Sequence, residues 1–214
     1  MKTKTKSWLR LTTFLFFVFL MAACNKPKND FIVFDGQTMG TYYAITYLDK
    51  TAIPQKENID QLLKTLNNSV STYIPSSLIS QVNQAPADSL IQVDSYFADV
   101  FQTAKIVYEA TDGHFDPTVM PLVNFWGFGY TKREKKLENP PIDSLLQLIA
   151  FDKTVLLDSL DDRGKQAFFV KKQKNNIQLD FSAIAKGYGV DIVADFLESK
   201  DIENYLIDIG GELR

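Results

Sequence analysis

The chain has 214 residues, 45% of them apolar and 23% charged: enough to bury one sizeable core, with a charge content that argues against wholesale disorder. Its formal charge is −3, but the first 24 residues carry Lys2, Lys4, Lys6 and Arg10 and no acid, so the remainder sets 19 basic against 26 acidic residues, a net of −7. A body that acidic suits nucleic acid poorly, because phosphates demand clustered Lys and Arg, and nucleic-acid binding is set aside.

At the amino terminus a basic segment, MKTKTKSWLR, precedes LTTFLFFVFLMAA, 13 residues without a charge. That is the layout of a secretory signal, and it is short for a membrane span. Leu20-Met21-Ala22-Ala23-Cys24 resembles the lipobox of a bacterial lipoprotein, in which the signal is cut before the cysteine and the cysteine carries the lipid. Cys24 is the sole cysteine, so the mature chain forms no internal disulfide. The expectation is a signal peptide over 1–23, a lipidated Cys24 with a polar tether over 24–30, and a water-facing domain over 31–214. That places the protein in the cell envelope, lipid-anchored on an extracytoplasmic face such as the periplasmic one.

After the tether, FIVFDG and TYYAITYL read as two strands separated by Gly36-Gln37-Thr38-Met39-Gly40. Ile59, Leu62, Leu63, Leu66 and Val70 recur at helical spacing up to Ser71. Pro75-Ser76-Ser77 breaks the chain and caps a short helix through Val82. Asp94 reads as the N-cap of a longer helix with Phe97, Val100, Phe101, Ala104, Val107 and Tyr108 on one face, ended by Gly113. Residues 112–129, DGHFDPTVMPLVNFWGFG, read as a loop too broken for a helix, with Phe125, Trp126 and Phe128 buried beneath it as scaffold. Thr131 to Glu138 is a charged run, read as a solvated loop, and Asp143 to Ala150 a short helix. TVLL, AFFVKK and NIQLDF read as strands, with a turn near Asp161-Gly164. A helix then runs from about Ala183 to Ser199 before a last strand, YLIDI. Strands in groups rather than in strict alternation with helices point to the α+β class.

Much familiar chemistry is missing. No G-x-G-x-x-G follows a strand and no G-x-x-x-x-G-K-[ST] occurs. Zinc is nearly excluded without Cys or His pairs, and any Ser-His-Asp triad would have to use His114, the only histidine. What remains is carboxylates, glycines, aromatics and a few lysines, an inventory suited to hard cations and phosphates. In LDFSAIAKGYGVD, Ser182 can cap a helix whose first turn holds Lys186. A cation is unfavourable there unless an anion binds at the same end, and helix N-termini are ready phosphate sites. A surface lysine paired with Asp180 explains the residues equally well.

Six stretches occur in order: Gln37-Thr38-Met39-Gly40-Thr41; Ser71-Thr72-Tyr73; Gly113-His114-Phe115-Asp116-Pro117-Thr118; Pro121-Leu122-Val123-Asn124 with Trp126-Gly127-Phe128-Gly129; Leu179 through Tyr188; and Asp208-Ile209-Gly210-Gly211. Together, from about Asp35 to the last residue, they resemble the successive motifs of the ApbE-like FAD:protein FMN transferases, or flavin transferases. The resemblance implies a single ApbE-like α+β domain. It also implies an enzyme that binds FAD with Mg²⁺ and transfers FMN to a threonine of an acceptor flavoprotein subunit, with loss of AMP. The alternatives are an FAD pyrophosphatase that uses water as nucleophile and a non-catalytic FAD-binding lipoprotein.

Carried over position by position, the resemblance implies FAD contacts at Met39, Tyr73, His114, Phe115, Asp116, Asp180 and Lys186, and a metal-ligating backbone carbonyl at Ala183. His114 stands where the family more often has a small residue, which makes it a pocket-wall or solvent-facing residue rather than a general base. No catalytic residue is assigned. The family's domain continues beyond the Gly-Gly strand, so the chain reads as an amino-terminal portion of it.

Overall fold

The computed structural model describes residues 30–49, 54–130, 141–161 and 163–214. The signal, the lipidated Cys24, the tether up to residue 29 and the charged run 131–138 lie outside the described residues.

Alternation builds the first sheet. β1 (Asp30–Thr38) and β2 (Thr41–Asp49) pair antiparallel from Thr38↔Thr41 outward. Tyr43, Ile45 and Tyr47 point to the core while Tyr42 and Ala44 face outward, the period-2 pattern of a half-buried strand. Met39 and Gly40 close the hairpin with φ of 51° and 72°, the paired left-handed geometry of a two-residue type I′ turn. Glycine is at ease there and methionine is not, so Met39 holds a position that costs local strain.

The helices follow. α1 (Lys56–Val70) buries Ile59, Leu63, Leu66 and Val70. Ser77 caps α2 (Leu78–Gln84) by accepting from the Ser80 N–H. A short strand β3 (Ile91–Val93) precedes α3 (Ser95–Ala110), whose N-cap Asp94 accepts from the Phe97 N–H and from the Ser69 hydroxyl. The chain continues through α4 (Met120–Phe125), α5 (Ile142–Leu146), β4 (Thr154–Leu160), β5 (Gln166–Lys172), α6 (Ser182–Glu198), β6 (Tyr205–Ile209) and β7 (Glu212–Leu213). The sheets are antiparallel throughout, in the orders β1-β2-β6-β7 and β3-β5-β4. Grouped strands with helices packed beside them make the α+β fold.

Two cores share the interior. One gathers the end of α1, α2, α3, β3, β5 and Phe181; the other lies between the first sheet, the start of α1 and the later turns of α6. α6 serves both, through Ala185 on one side and Val190, Val193, Ala194 and Leu197 on the other, so its apolar surface is wide rather than a single stripe. Met39 packs against both cores and marks where they meet.

Four expectations need correction. NIQLDF is extended, with Ile177, Leu179 and Phe181 buried in alternation, but it is not a strand. The Asn83 side chain bonds both the N–H and the C=O of Leu179, and the Asp180 N–H donates to the Pro117 C=O, so no ladder forms. The helix expected over Asp143–Ala150 is shorter, Ile142–Leu146, followed by turns. Residues 112–129 contain the helix α4, begun by Pro121 in its first turn. Finally, the three rings are not buried beneath the loop: Phe125 is half-buried and packs edge-to-face on Trp126 at 5.2 Å, while Trp126 and Phe128 are 49% and 80% exposed.

Candidate functional site

Three segments converge on a cleft of about 960 Å³. The hairpin turn contributes Gln37 to Gly40. The last two turns of α1 and the residues after it contribute Leu63, Lys64, Asn67, Asn68 and Ser71 to Ile74. The first turns of α6 contribute Ser182, Ala185 and Lys186. Glycines admit the neighbours. A Cβ on Gly189 would lie 3.0 Å from the Met39 Cε, and one on Gly210 would lie 2.6 Å from Thr41 and 3.3 Å from the Lys186 stem.

The turn is pinned to α1 by the Asn67 amide, which donates to the Thr38 hydroxyl at 2.9 Å and to the Leu63 C=O. Tyr73 stands exposed on the wall, and its hydroxyl donates to the Phe128 C=O at 3.2 Å. Lys64 and Lys186 belong to none of the ion pairs among the described residues, so Lys186 is not paired with Asp180. Two uncompensated ammonium groups give the cleft a positive lining on an acidic body.

One end of the cleft is polar and self-paired. The buried Tyr43 hydroxyl donates to Asp60, and the Lys56 ammonium reaches the Tyr43 oxygen at 2.8 Å and Asp60 at 3.0 Å. Burial, then the Asp60 contact, pushes the Tyr43 phenol up. Burial acts to raise the Asp60 carboxyl, but the hydrogen bonds from Tyr43 and Lys56 hold it below the usual range. The cluster is therefore a charged pair bracketing a neutral phenol.

Of the residues anticipated from sequence, Met39, Tyr73 and Lys186 line this one cleft. Asp180 lies two residues before Ser182, half-buried, its carboxylate accepting from the Ser182 N–H at 2.9 Å and hydroxyl at 2.5 Å. Ser182 is therefore the first residue of α6 and not its cap: Phe181 holds the N-cap position without a side-chain bond, and Asp180 only turns the chain into the helix. Ala183 is exposed in the first turn of α6. His114, Phe115 and Asp116 are not among the residues lining the cleft. His114 is exposed, Phe115 packs against the first core, and the Asp116 carboxylate accepts from the Thr118 N–H and hydroxyl at 2.7 and 2.5 Å. The 2.6 Å bond from the Asp180 N–H to the Pro117 C=O ties that segment to the approach to α6.

Sequence reasoning missed Lys64 and Asn67, because it followed only the apolar stripe of α1. Asp60, Lys64, Asn67 and Ser71 form a polar row beside it at the i, i+3, i+4 spacing of one helix face. It also missed Lys172, 2% exposed, whose ammonium donates to the C=O of Asn83 at 2.8 Å and of Ile177 at 3.0 Å. Burial lowers its pKa to about 8. With Asn83, this lysine fixes the extended segment that delivers Asp180 to α6.

Among the described residues, no three His, Cys, Asp or Glu side chains gather into a group that could hold a metal, and no helix is long and apolar enough to cross a membrane.

Comparison with known proteins places this arrangement. An FAD:protein FMN transferase of Haemophilus influenzae is 38% identical over 201 residues, covering 91% of this chain and 56% of that protein. One from Vibrio cholerae is 37% identical, covering 91% and 57%. Among solved structures, the flavin transferase ApbE from Vibrio cholerae superposes with a TM-score of 0.76 at 32% identity, covering 87% of this chain and 59% of that one. The apo flavinyl transferase ApbE of Pseudomonas stutzeri gives 0.74 at 30% identity, covering 87% and 60%. The chain thus spans just over half the length of these relatives. The model of the ApbE family matches residues 39–214, from the hairpin-turn methionine to the last residue, and the chain belongs to that family.

Proposed function

We propose that the protein acts as an FAD:protein FMN transferase. The observation that carries this reading is the cleft itself: a sulfur and an exposed aromatic ring share one chamber with two unpaired lysines and the start of α6. A flat, polarisable isoalloxazine suits Met39 and Tyr73, and a pyrophosphate suits Lys186 and Lys64. Relatives named as FAD:protein FMN transferases support the same reading.

In the proposed reaction the oxygen of an acceptor threonine bonds to the phosphorus on the FMN side of the pyrophosphate. The bond from that phosphorus to the bridging oxygen breaks, the oxygen leaves with AMP, and the hydroxyl gives up its proton. The described residues bind and orient the dinucleotide, which is most of what phosphoryl transfer asks of a protein. Lys186 offsets phosphate charge, Asp180 holds ribose or adenine polar groups, and His114, Phe115 and Asp116 offer the nucleotide the backbone that the Asp116 carboxylate shapes.

The magnesium ion implied by the resemblance would take the Ala183 carbonyl as one donor. A hard cation needs six or so oxygens, and the described residues gather no carboxylate cluster for it. They do not fit a complete site, and no step is assigned to the ion. Anchoring in the envelope through Cys24, with the domain beginning at residue 31, belongs to the proposal on the sequence pattern alone.

The test is to incubate the lipid-free protein with FAD and a threonine-bearing acceptor, then to measure acceptor mass and AMP. The reading expects one FMN phosphoester per acceptor and equimolar AMP. AMP and free FMN without acceptor labelling would make the protein an FAD pyrophosphatase. FAD retention without AMP would make it a binding protein.

A further inference from the structure

The loop Trp126–Gly129 is built with more precision than a connector needs. It closes α4 with a Schellman cap: the Phe128 N–H donates to the Val123 C=O at 3.0 Å and the Gly127 N–H to the Asn124 C=O at 3.0 Å, with Gly127 left-handed at φ 81°. Next to the cap, Gly129 is pressed onto the Asn124 side chain. A Cβ there would lie 2.0 Å from Asn124 Oδ1 and 2.9 Å from its Cγ. The Asn124 amide nitrogen in turn reaches Gln178 at 3.4 Å, in the segment that leads to Asp180. What this loop offers outward is the Phe128 carbonyl, and its partner is the Tyr73 hydroxyl, 55 residues away in sequence.

We infer that the Trp126–Gly129 loop is a positioning element for the Tyr73 ring. Gly129 and Asn124 set the loop and the Phe128 carbonyl holds the ring. The inference deepens the proposed function and rests on its assignment of Tyr73 to the flavin. An exposed tyrosine has free rotation about its Cα–Cβ bond. Fixing its hydroxyl to a carbonyl on a rigid cap orders the ring before ligand arrives and spares that ordering cost on binding. The Phe128 ring, 80% exposed, has no part in this; only its backbone does.

The experiment is FAD affinity, read by flavin fluorescence quenching, on the full chain and on Y73A, Y73F, G129A, F128A and the G129A/Y73F double variant, each checked for folding by thermal melt. Y73F keeps the ring and loses the tether, and is expected to bind about five-fold more weakly, as for one hydrogen bond. G129A should show a loss of that order in the parent and none in the Y73F background, because both changes act through one contact. F128A should bind like the parent. Equal losses from G129A in both backgrounds, or no loss in Y73F, would overturn the inference while leaving Tyr73 a flavin residue. Parent-like affinity in Y73A would instead overturn the assignment of Tyr73 beneath it. Should G129A not fold, the Y73F and F128A pair decides alone: a parent-like Y73F, or a weakened F128A, overturns the inference.

Discussion

Met39 and Gly189 meet where the two cores join: an ideal Cβ on Gly189 would lie 3.0 Å from the Met39 Cε. A turn methionine in a left-handed conformation thereby reaches into a gap left by a helix glycine. Gly189→Ala crowds the end of a flexible side chain and improves helix propensity by roughly 1 kcal/mol. Stability should therefore change little while Met39 is displaced and FAD affinity falls. Chemical denaturation and a flavin titration on one preparation separate the two effects.

Lys186 is assigned to phosphate, so its loss should depend on whether the ligand carries phosphate. Lys186→Gln should weaken FAD about ten-fold or more, the scale of a charge-assisted hydrogen bond, and leave riboflavin, which has none, nearly unaffected. Parallel titrations with the two ligands make the comparison, and an equal loss for both would move Lys186 off the phosphates.

Lys172 gives stability a pH slope of defined sign. Its folded pKa of about 8 lies below the ordinary 10.5, so between those values the unfolded chain holds more protons. Stability should then rise with pH across that window, by up to about 3 kcal/mol from this group. Tyr43, raised in the folded state, works the other way above pH 10. Urea denaturation at several pH values between 7.5 and 9.5 should show the rise in the parent and a flatter profile in Lys172→Met.

Asn83 satisfies both backbone groups of buried Leu179 at 2.7 and 2.8 Å. Asn83→Ala leaves them without those partners and should cost roughly 2–4 kcal/mol. It should also loosen the turn from Asp180 to Ser182 that leads into α6, lowering FAD affinity in the fraction that stays folded. Denaturant midpoints and flavin titration check the pair of effects.

The hairpin, the apolar stripe of α1 and the Asp94 cap were legible in the sequence because each is a local pattern with a local cause. Ile177, Leu179 and Phe181 show how such a pattern misleads. Their alternation was real, but the backbone bonds that would have made a strand are taken by Asn83 and Pro117, both far away in sequence. Trp126 and Phe128 were expected to be buried on ring content alone, whereas both are exposed and the turn is closed by backbone bonds around Gly127. For the cleft, Met39 and Tyr73 were reached by resemblance, and Lys186 also by its place in the first turn of a helix. Lys64 and Asn67 needed only the polar row of α1 to be read beside its apolar one. Lys172 carried no signal, since nothing in AFFVKK distinguishes the buried lysine from its exposed kind.

The central claim is that one cleft, shared by the hairpin turn, the end of α1 and the start of α6, receives FAD. Amide hydrogen exchange of the protein with and without FAD tests all three walls at once. Protection should be concentrated in residues 37–41, 71–74 and 182–187, with the exposed face of the first sheet unchanged. Protection confined to other segments, with those three exchanging as in the free protein, would contradict it.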